Sequence, residues 1–235
     1  MSLPLPLPRR SFVALGLASL GAMSTGLARA AAPPTQPESP SVPRAEAPIG
    51  TLPLSFAIAE EGGAPVVDDA WLAAEVTEAN RLFSPQGLVV ATLRTRALAG
   101  SFSALESGDD RDRLAAHREA RVLNVFVVKS LRDVDDPRLL RMGVRWRLRR
   151  NLAVDYVILA ASALPSTLAH ELGHALGLGH SSVVDNVMSY DRRDPMSVRF
   201  DDRQGRVMRA QARAMLRTKK LASLEVLTRE AGAKS

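Results

Sequence analysis

One short run, residues 170–180, constrains this chain more than any other feature. It reads His-Glu-Leu-Gly-His-Ala-Leu-Gly-Leu-Gly-His, which places three imidazoles and one carboxylate in the pattern H-E-x-x-H-x-x-G-x-x-H. On a helix, His170 and His174 are one turn apart on the same face, so both can bind one metal ion. Three protein ligands leave one position of a tetrahedral ion open, which is typical of a catalytic zinc site rather than a structural one.

The third histidine requires a change in chain direction, because a straight helix would carry His180 past the ion. Gly177 can provide this turn, since glycine adopts the left-handed backbone conformation that ends helices. Glu171 follows the first ligand and can reach water at the open position without binding the metal. The run therefore predicts His170, His174 and His180 as zinc ligands and Glu171 as the catalytic carboxylate.

A methionine follows at a distinctive distance. Met188 comes eight residues after His180, within the run Asn-Val-Met-Ser-Tyr at 186–190. With the histidine motif, this run resembles the metzincin clan of zinc endopeptidases, in which a tight turn, the Met-turn, places a methionine beneath the three histidines. The resemblance implies that role for Met188. Ser181 resembles the matrixin branch, whereas Tyr190 resembles the astacin and serralysin branches, in which this tyrosine approaches the zinc or the transition state.

The resemblance implies a zinc-dependent endopeptidase that hydrolyses an extended peptide or protein substrate through a zinc-activated water and a glutamate base. Tyr190 is then either a catalytic hydrogen-bond donor or an ordinary aromatic residue of the turn. The chief alternative is an inactive, zinc-stabilised binding or scaffold domain, although a site kept for folding needs no free carboxylate beside its ligands. A thermolysin-like site with a distant glutamate ligand fits less well, because His180 already fills the third position.

The amino-terminal residues are typical of an export signal. Arg9 and Arg10 precede a weakly apolar stretch, and residues 28–30, Ala-Arg-Ala, form a small-x-small cleavage site. We expect a twin-arginine signal peptide over residues 1–30 and an exported protein, periplasmic or extracellular. The apolar stretch is shorter than the ~20 residues that span a bilayer, so no stable membrane insertion is expected after cleavage.

Composition sets the remaining bounds. Residues 31–48 hold six prolines and little to bury, which predicts a disordered linker, with a short propeptide as the alternative. One domain is expected over 49–230 and a disordered tail over 231–235. The chain has no cysteine, which excludes disulfides and the propeptide-cysteine latency of many matrixins. Without residues 1–30 the formal charge falls from +6 to +3, too little to imply nucleic acid without a motif, and we expect a monomer.

Hydrophobic patterns predict both strands and helices, and the metzincin resemblance implies how they are arranged. It implies an α+β fold: a twisted mixed sheet with an edge substrate-binding strand, packed on an N-terminal helix and the active-site helix, plus a C-terminal helix. Asp68 or Asp69 opens the first helix, Pro165 the zinc helix at its first position, and Asp201 the C-terminal one. The segment 52–58 alternates like a half-buried strand, whereas 122–128 is β-branched throughout, like a strand buried on both faces. Further strands are predicted at 88–93, 141–149 and 155–160.

The strand at 141–149 alternates arginine or glycine with apolar residues, which predicts an apolar inner face and a basic outer face. The metzincin resemblance implies that its centre is the edge strand that pairs antiparallel with substrate. This substrate-binding segment comprises Gly143, Val144, Arg145, Trp146 and Arg147. The arginines either favour acidic residues in the substrate or prevent sheet-to-sheet aggregation, and the sequence leaves both open.

Two acidic clusters offer carboxylates to a cation. They comprise Asp109, Asp110 and Asp112, and Asp133, Asp135 and Asp136. Some metzincins bind Ca2+, so a calcium site is conceivable, but neither cluster has the spacing of a dedicated calcium loop. We therefore interpret both as solvated turns.

Overall fold

A computed structural model describes residues 48–233 of the chain. The predicted signal peptide, the linker up to residue 47 and the last two residues of the predicted tail lie outside the described residues. Within 48–233, no helix combines the length and apolarity needed to cross a bilayer.

The described residues form both strands and helices around a mixed sheet, which confirms the predicted α+β class. The strands are β1 (Leu52–Glu61), β2 (Ala64–Pro65), β3 (Val90–Leu98), β4 (Ala104–Leu105), β5 (Leu123–Val128), β6 (Ser130–Leu131), β7 (Gly143–Arg147) and β8 (Asp155–Ala160). The α-helices are α1 (Asp69–Phe83), α2 (Gly108–Arg113), α3 (Thr167–Ala175), α4 (Asp202–Arg217) and α5 (Leu224–Gly232).

A mixed sheet forms the centre of the domain, in the order β3-β1-β5-β8-β7, with β2 extending one end of β1. Strands β1, β3, β5 and β8 are parallel, whereas β7 pairs antiparallel with β8. Within the described residues β7 has no second neighbour, so its outer edge is open. The predicted edge strand is therefore at the edge of the sheet, with Gly143 opposite Leu159 and Arg147 opposite Asp155.

Two hydrophobic layers cover the sheet. The larger packs α1, α3 and α4 against one face, and the smaller covers the other face with residues such as Phe126 and Tyr156. The prediction of a half-buried first strand is wrong, because β1 is buried on both faces. Its large residues face the larger layer, while Ala57 and Ala59 face the smaller one. The prediction that β5 is buried on both faces is correct.

The helix caps explain where the main helices begin. Asp68 accepts a hydrogen bond from the Trp71 amide at 2.8 Å and so caps α1, as predicted. The prediction for α3 is wrong by two residues: Pro165 precedes the cap residue Ser166 instead of occupying the first helical position. Helix α5 continues through Gly232, two residues into the segment expected to be disordered.

The start of α3 is capped from another helix. The side chain of Ser166 makes no capping hydrogen bond to α3. Instead, Glu75 of α1 accepts a hydrogen bond from the Leu168 amide at 3.2 Å. This buried contact ties α1 to the helix that carries the histidine motif.

Candidate metal centre and active site

The turn after α3 brings the third histidine back to the first two. Gly177 has a φ of +94°, in the region that favours glycine. Its amide donates to the His174 carbonyl at 3.1 Å, and the Leu178 amide donates to the Gly173 carbonyl at 2.9 Å. Both bonds cap carbonyl groups at the end of the helix, and the chain reverses towards His180.

The three histidines converge on one point. Their candidate ligand nitrogens all lie within 4.8 Å of one another. The Nε2 atoms of His174 and His180 are 3.2 Å apart. Two nitrogens bound at about 2.0–2.1 Å to one tetrahedral zinc ion would be separated by about 3.3 Å. The residues present therefore fit a zinc ion.

Hydrogen bonds to the chain orient two of the imidazoles. His170 Nδ1 lies 2.7 Å from the Val187 carbonyl oxygen, and His174 Nδ1 lies 2.8 Å from that of Leu178. Because a carbonyl oxygen only accepts, His174 carries its proton on Nδ1 and keeps a lone pair on Nε2 for a metal. The Val187 carbonyl favours the same tautomer for His170, whose Nδ1 also lies 3.0 Å from Arg192 Nη2. Burial lowers the pKa of His170 to about 4 and also lowers the pKa of His174, so both are neutral at physiological pH.

Met188 packs beneath α3. Its side chain is fully buried, and a Cβ atom added at Gly173 would lie 2.7 Å from its Sδ atom. The Met188 carbonyl oxygen accepts a hydrogen bond from Ser181, directly after the third histidine, at 2.9 Å. The absence of a side chain at Gly173 therefore lets the turn approach the helix between the first two histidines.

An amide pair fixes the Met-turn to α4. Asn186 Oδ1 accepts from the Met188 amide at 2.9 Å and from Gln204 Nε2 at 3.0 Å, and Asn186 Nδ2 donates to Gln204 Oε1 at 2.9 Å. Gln204 also completes the capping box that Asp201 opens. Sequence reasoning missed this role of Gln204, although an Asp followed three residues later by Gln is a recognisable capping signature.

Glu171 lies buried between the zinc helix and the edge strand. A Cβ atom at Gly143 would come within 3.0 Å of Glu171 Cγ and 2.7 Å of Thr167 Cγ2, so β7 packs tightly here. Burial raises the pKa of Glu171 to about 7, while the Arg145 amide and the charges of Arg192 and Arg141 oppose this rise.

Tyr190 is exposed beside the third histidine. The residue has 74% of its surface accessible to solvent, and its hydroxyl oxygen lies 2.9 Å from His180 Nε2. The hydroxyl is thus close to a candidate ligand nitrogen and open to the cleft.

The edge strand differs from the prediction of a basic outer face. Arg145 donates to Asp155 at 2.6 and 2.8 Å, and this carboxylate also binds Lys220. Trp146 packs on the smaller layer and donates to Asp112 at 2.7 Å. The prediction fails for Arg145 because Asp155 lies on the neighbouring strand β8 and pairs with its charge.

A cleft of about 750 Å³ joins these groups. It is lined by His170, Glu171, His174, His180, Tyr190 and the strand residues Gly143, Val144, Arg145 and Trp146. Met188 and Gly177 lie outside the lining and support it, and Arg147 lies beyond it. Sequence reasoning missed another lining residue, Arg192, because nothing distinguishes it from other loop arginines in the sequence.

The acidic clusters do not form a comparable group. Within residues 48–233, the three histidines form the one group of three or more His, Cys, Asp or Glu side chains that could hold a metal ion. Asp133 accepts hydrogen bonds from the amides of Asp135 and Asp136 and pairs with Arg141. Its carboxylate therefore stabilises the turn itself.

Comparison with known proteins agrees with this geometry. The family model of the matrixins matches residues 100–207, which include β7, the zinc helix and the Met-turn. The matched residues are those of a metzincin-clan zinc metalloendopeptidase. No match to the chain was found among curated proteins.

Solved structures resemble the chain at low sequence identity. Mirolysin superposes with a TM-score of 0.52 and 13% identity, over 76% of this chain and 95% of that one. Metalloproteinase-II from Bacteroides fragilis gives a TM-score of 0.49 at 16% identity, over 72% of this chain and 55% of that one. Archaemetzincin from Methanopyrus kandleri gives a TM-score of 0.46 at 14% identity, over 69% of this chain and 96% of that one. The likeness to mirolysin supports the fold alone.

Proposed function

We propose that this metzincin is an exported endopeptidase in which His170, His174 and His180 hold one catalytic zinc ion and Glu171 is the general base. The observation that carries the proposal is the convergence of three imidazoles, two of them oriented by carbonyl groups, beside a buried carboxyl in one cleft. When bound, zinc supplies Lewis-acid chemistry, lowering the pKa of water and polarising a carbonyl oxygen.

Glu171 moves the protons of the reaction. It does not belong to the three-imidazole group, yet it follows His170 directly and lines the same cleft. Its carboxylate accepts a proton from the attacking water and later delivers it to the departing amine. Tyr190, whose hydroxyl is open to the cleft, donates a hydrogen bond to the oxyanion that develops on the scissile carbonyl.

The open edge of β7 binds the substrate. Its outer main-chain groups have no strand partner among the described residues, and its residues 143–146 line the cleft. An extended peptide adds there as an antiparallel strand and acquires main-chain hydrogen bonds. This mode of binding places the scissile bond near Glu171, since Gly143 packs against that side chain.

Cleavage of casein by the purified protein, with and without a chelator, tests the enzymatic proposal. We expect cleavage that stops on chelation and returns with added zinc. The variant Glu171→Gln should keep zinc and its melting temperature but lose activity by orders of magnitude. His117→Gln is the matched control, because His117 lies outside the site, and it should behave as wild type. Retained turnover in Glu171→Gln would contradict the assigned role.

Export is tested in cells with the full chain. Arg9→Lys combined with Arg10→Lys should leave the protein in the cytoplasm, because the twin-arginine route depends on both arginines. Export of this double variant at the wild-type level would contradict the twin-arginine assignment.

A further inference from the structure

Arg192 lies in the active-site cleft, where three uncharged oxygen atoms accept its hydrogen bonds and its Nη2 also lies 3.0 Å from His170 Nδ1. Its Nε donates to the Ser189 carbonyl at 3.0 Å, Nη1 to the Ser166 hydroxyl at 2.7 Å and Nη2 to the Val187 carbonyl at 2.7 Å. These contacts span the Met-turn and the start of α3. They fix the guanidinium in one place without neutralising its charge.

The other arginines of the cleft differ from Arg192. Arg141 pairs with Asp133 and Arg145 with Asp155. Arg111 is only 2% exposed and stacks on the Trp146 ring. Arg192 forms no ion pair with a carboxylate of residues 48–233, and burial lowers its pKa. Its positive charge is thus accessible from the cleft and uncompensated by an ion pair.

The direction of the edge strand places Arg192 relative to the scissile bond. A peptide antiparallel to β7 has its C-terminal part beside the Gly143 end of the strand. Gly143 packs against Thr167, and Arg192 binds Ser166, the residue before Thr167. Arg192 therefore lies on the side of the cleft that receives residues after the cut.

We propose that Arg192 determines specificity by binding a carboxylate side chain of the substrate on the C-terminal side of the scissile bond. This inference rests on the proposed endopeptidase function. A fixed guanidinium is suited to a carboxylate because its planar fork keeps an N–H group on Nη1 outside these contacts, and that group can donate a charge-assisted hydrogen bond. The three neutral contacts keep this group in place before the substrate arrives.

Matched peptides test the proposal on the wild-type protein. Each pair differs at one of the two positions after the cut, with Glu against Gln or Asp against Asn. We expect kcat/KM to favour the acidic member of one pair by about tenfold or more, since hydrogen bonds to charged groups are typically worth that much. The ratio should shrink as salt is added, because ions screen the attraction.

Substitutions then assign the preference to one residue. Arg192→Gln should bring the ratio close to one, and Arg192→Lys should retain part of it, because the charge remains but the fork is lost. Arg193→Gln is the matched control, since Arg193 is exposed and paired with Asp191, and it should keep the wild-type ratio. Zinc content is measured for each variant, because a residue that acted only by holding the Met-turn would change zinc content and leave the ratio unchanged.

The outcomes separate this inference from the proposed function. Equal cleavage of acidic and neutral peptides by the wild-type domain would overturn the inference alone. An acidic preference that survives unchanged in Arg192→Gln would also overturn it. If no peptide is cleaved in a chelator-sensitive manner, the proposed function fails and the inference fails with it.

Discussion

His170 Nδ1 and the Val187 carbonyl oxygen lie 2.7 Å apart, so the Met-turn orients the first imidazole through its main chain. The same oxygen accepts a hydrogen bond from Arg192. A displacement of the turn therefore changes the direction of a candidate zinc ligand without altering any ligand residue. Such contacts around metal ligands typically affect metal affinity by 10–100-fold.

The close approach of Met188 to the zinc helix gives the first prediction. Gly173→Ala would place a Cβ atom 2.7 Å from Met188 Sδ, so the helix or the turn must shift. We expect a loss of roughly 1–3 kcal/mol in the free energy of unfolding, as for other overpacked cores, and weaker zinc binding. Urea unfolding and competition with a chelator measure these effects. Gly179→Ala is the control, since its Cβ would meet no atom within 4 Å; equal stability of the two variants would contradict the packing argument.

The second prediction concerns backbone conformation at the turn. Gly177→Ala leaves space for the new Cβ, whose nearest neighbour would be 3.6 Å away, but it forces alanine to a φ of +94°. This should cost about 1–2 kcal/mol and weaken zinc binding by displacing His180. Calorimetric melting curves compare this variant with Gly179→Ala, whose φ is not in that region. A melting temperature equal to that of the control would show that the turn tolerates a side chain.

Glu75 predicts a pH dependence of stability. Burial raises its pKa from 4.5 to about 8, against the opposing effect of the Leu168 amide. Because the folded state binds this proton more tightly, the stabilising contribution is complete below about pH 4.5 and is lost as the pH rises through about 8. The slope within this window is at most about 1.4 kcal/mol per pH unit for one group.

Glu75→Gln keeps an oxygen acceptor for the Leu168 amide but carries no ionisable proton. The variant should therefore show a flatter stability profile between pH 4.5 and 8 and should be more stable than wild type above pH 8. Urea unfolding at a series of pH values measures both. Parallel profiles for the two proteins would mean that Glu75 does not titrate in this window.

Tyr190→Phe tests the proposed oxyanion donor. The substitution removes only the hydroxyl of an exposed side chain, so folding and zinc content should be unchanged. We expect kcat to fall by about 100-fold with little change in KM, as when other oxyanion donors are removed. Steady-state kinetics on one peptide provides the comparison, and an unchanged kcat would leave Tyr190 as an ordinary turn residue.

The features of the fold and of the site that the sequence predicted correctly depend on the spacing of residues that are near one another in the chain. The histidine spacing and Gly177 sufficed to predict a convergent site, and the β-branched run at 122–128 sufficed for a strand buried on both faces. These features need only the periods of helices and strands and the freedom of glycine.

The residue contacts that sequence reasoning missed join segments that are far apart in the chain. Arg145 is paired because Asp155 lies on the neighbouring strand, and Glu75 caps α3 because two helices pack together. Arg192 matters only because the Met-turn folds against Ser166. None of these pairings leaves a periodic signal, so a single sequence contains no evidence for them.

Zinc stoichiometry tests the central claim most directly. Elemental analysis of the purified protein should give one zinc per chain. His174→Ala should reduce this to near zero, while His117→Gln keeps it. A wild-type protein that binds no zinc after incubation with the metal, or a His174→Ala variant that retains it fully, would contradict the account.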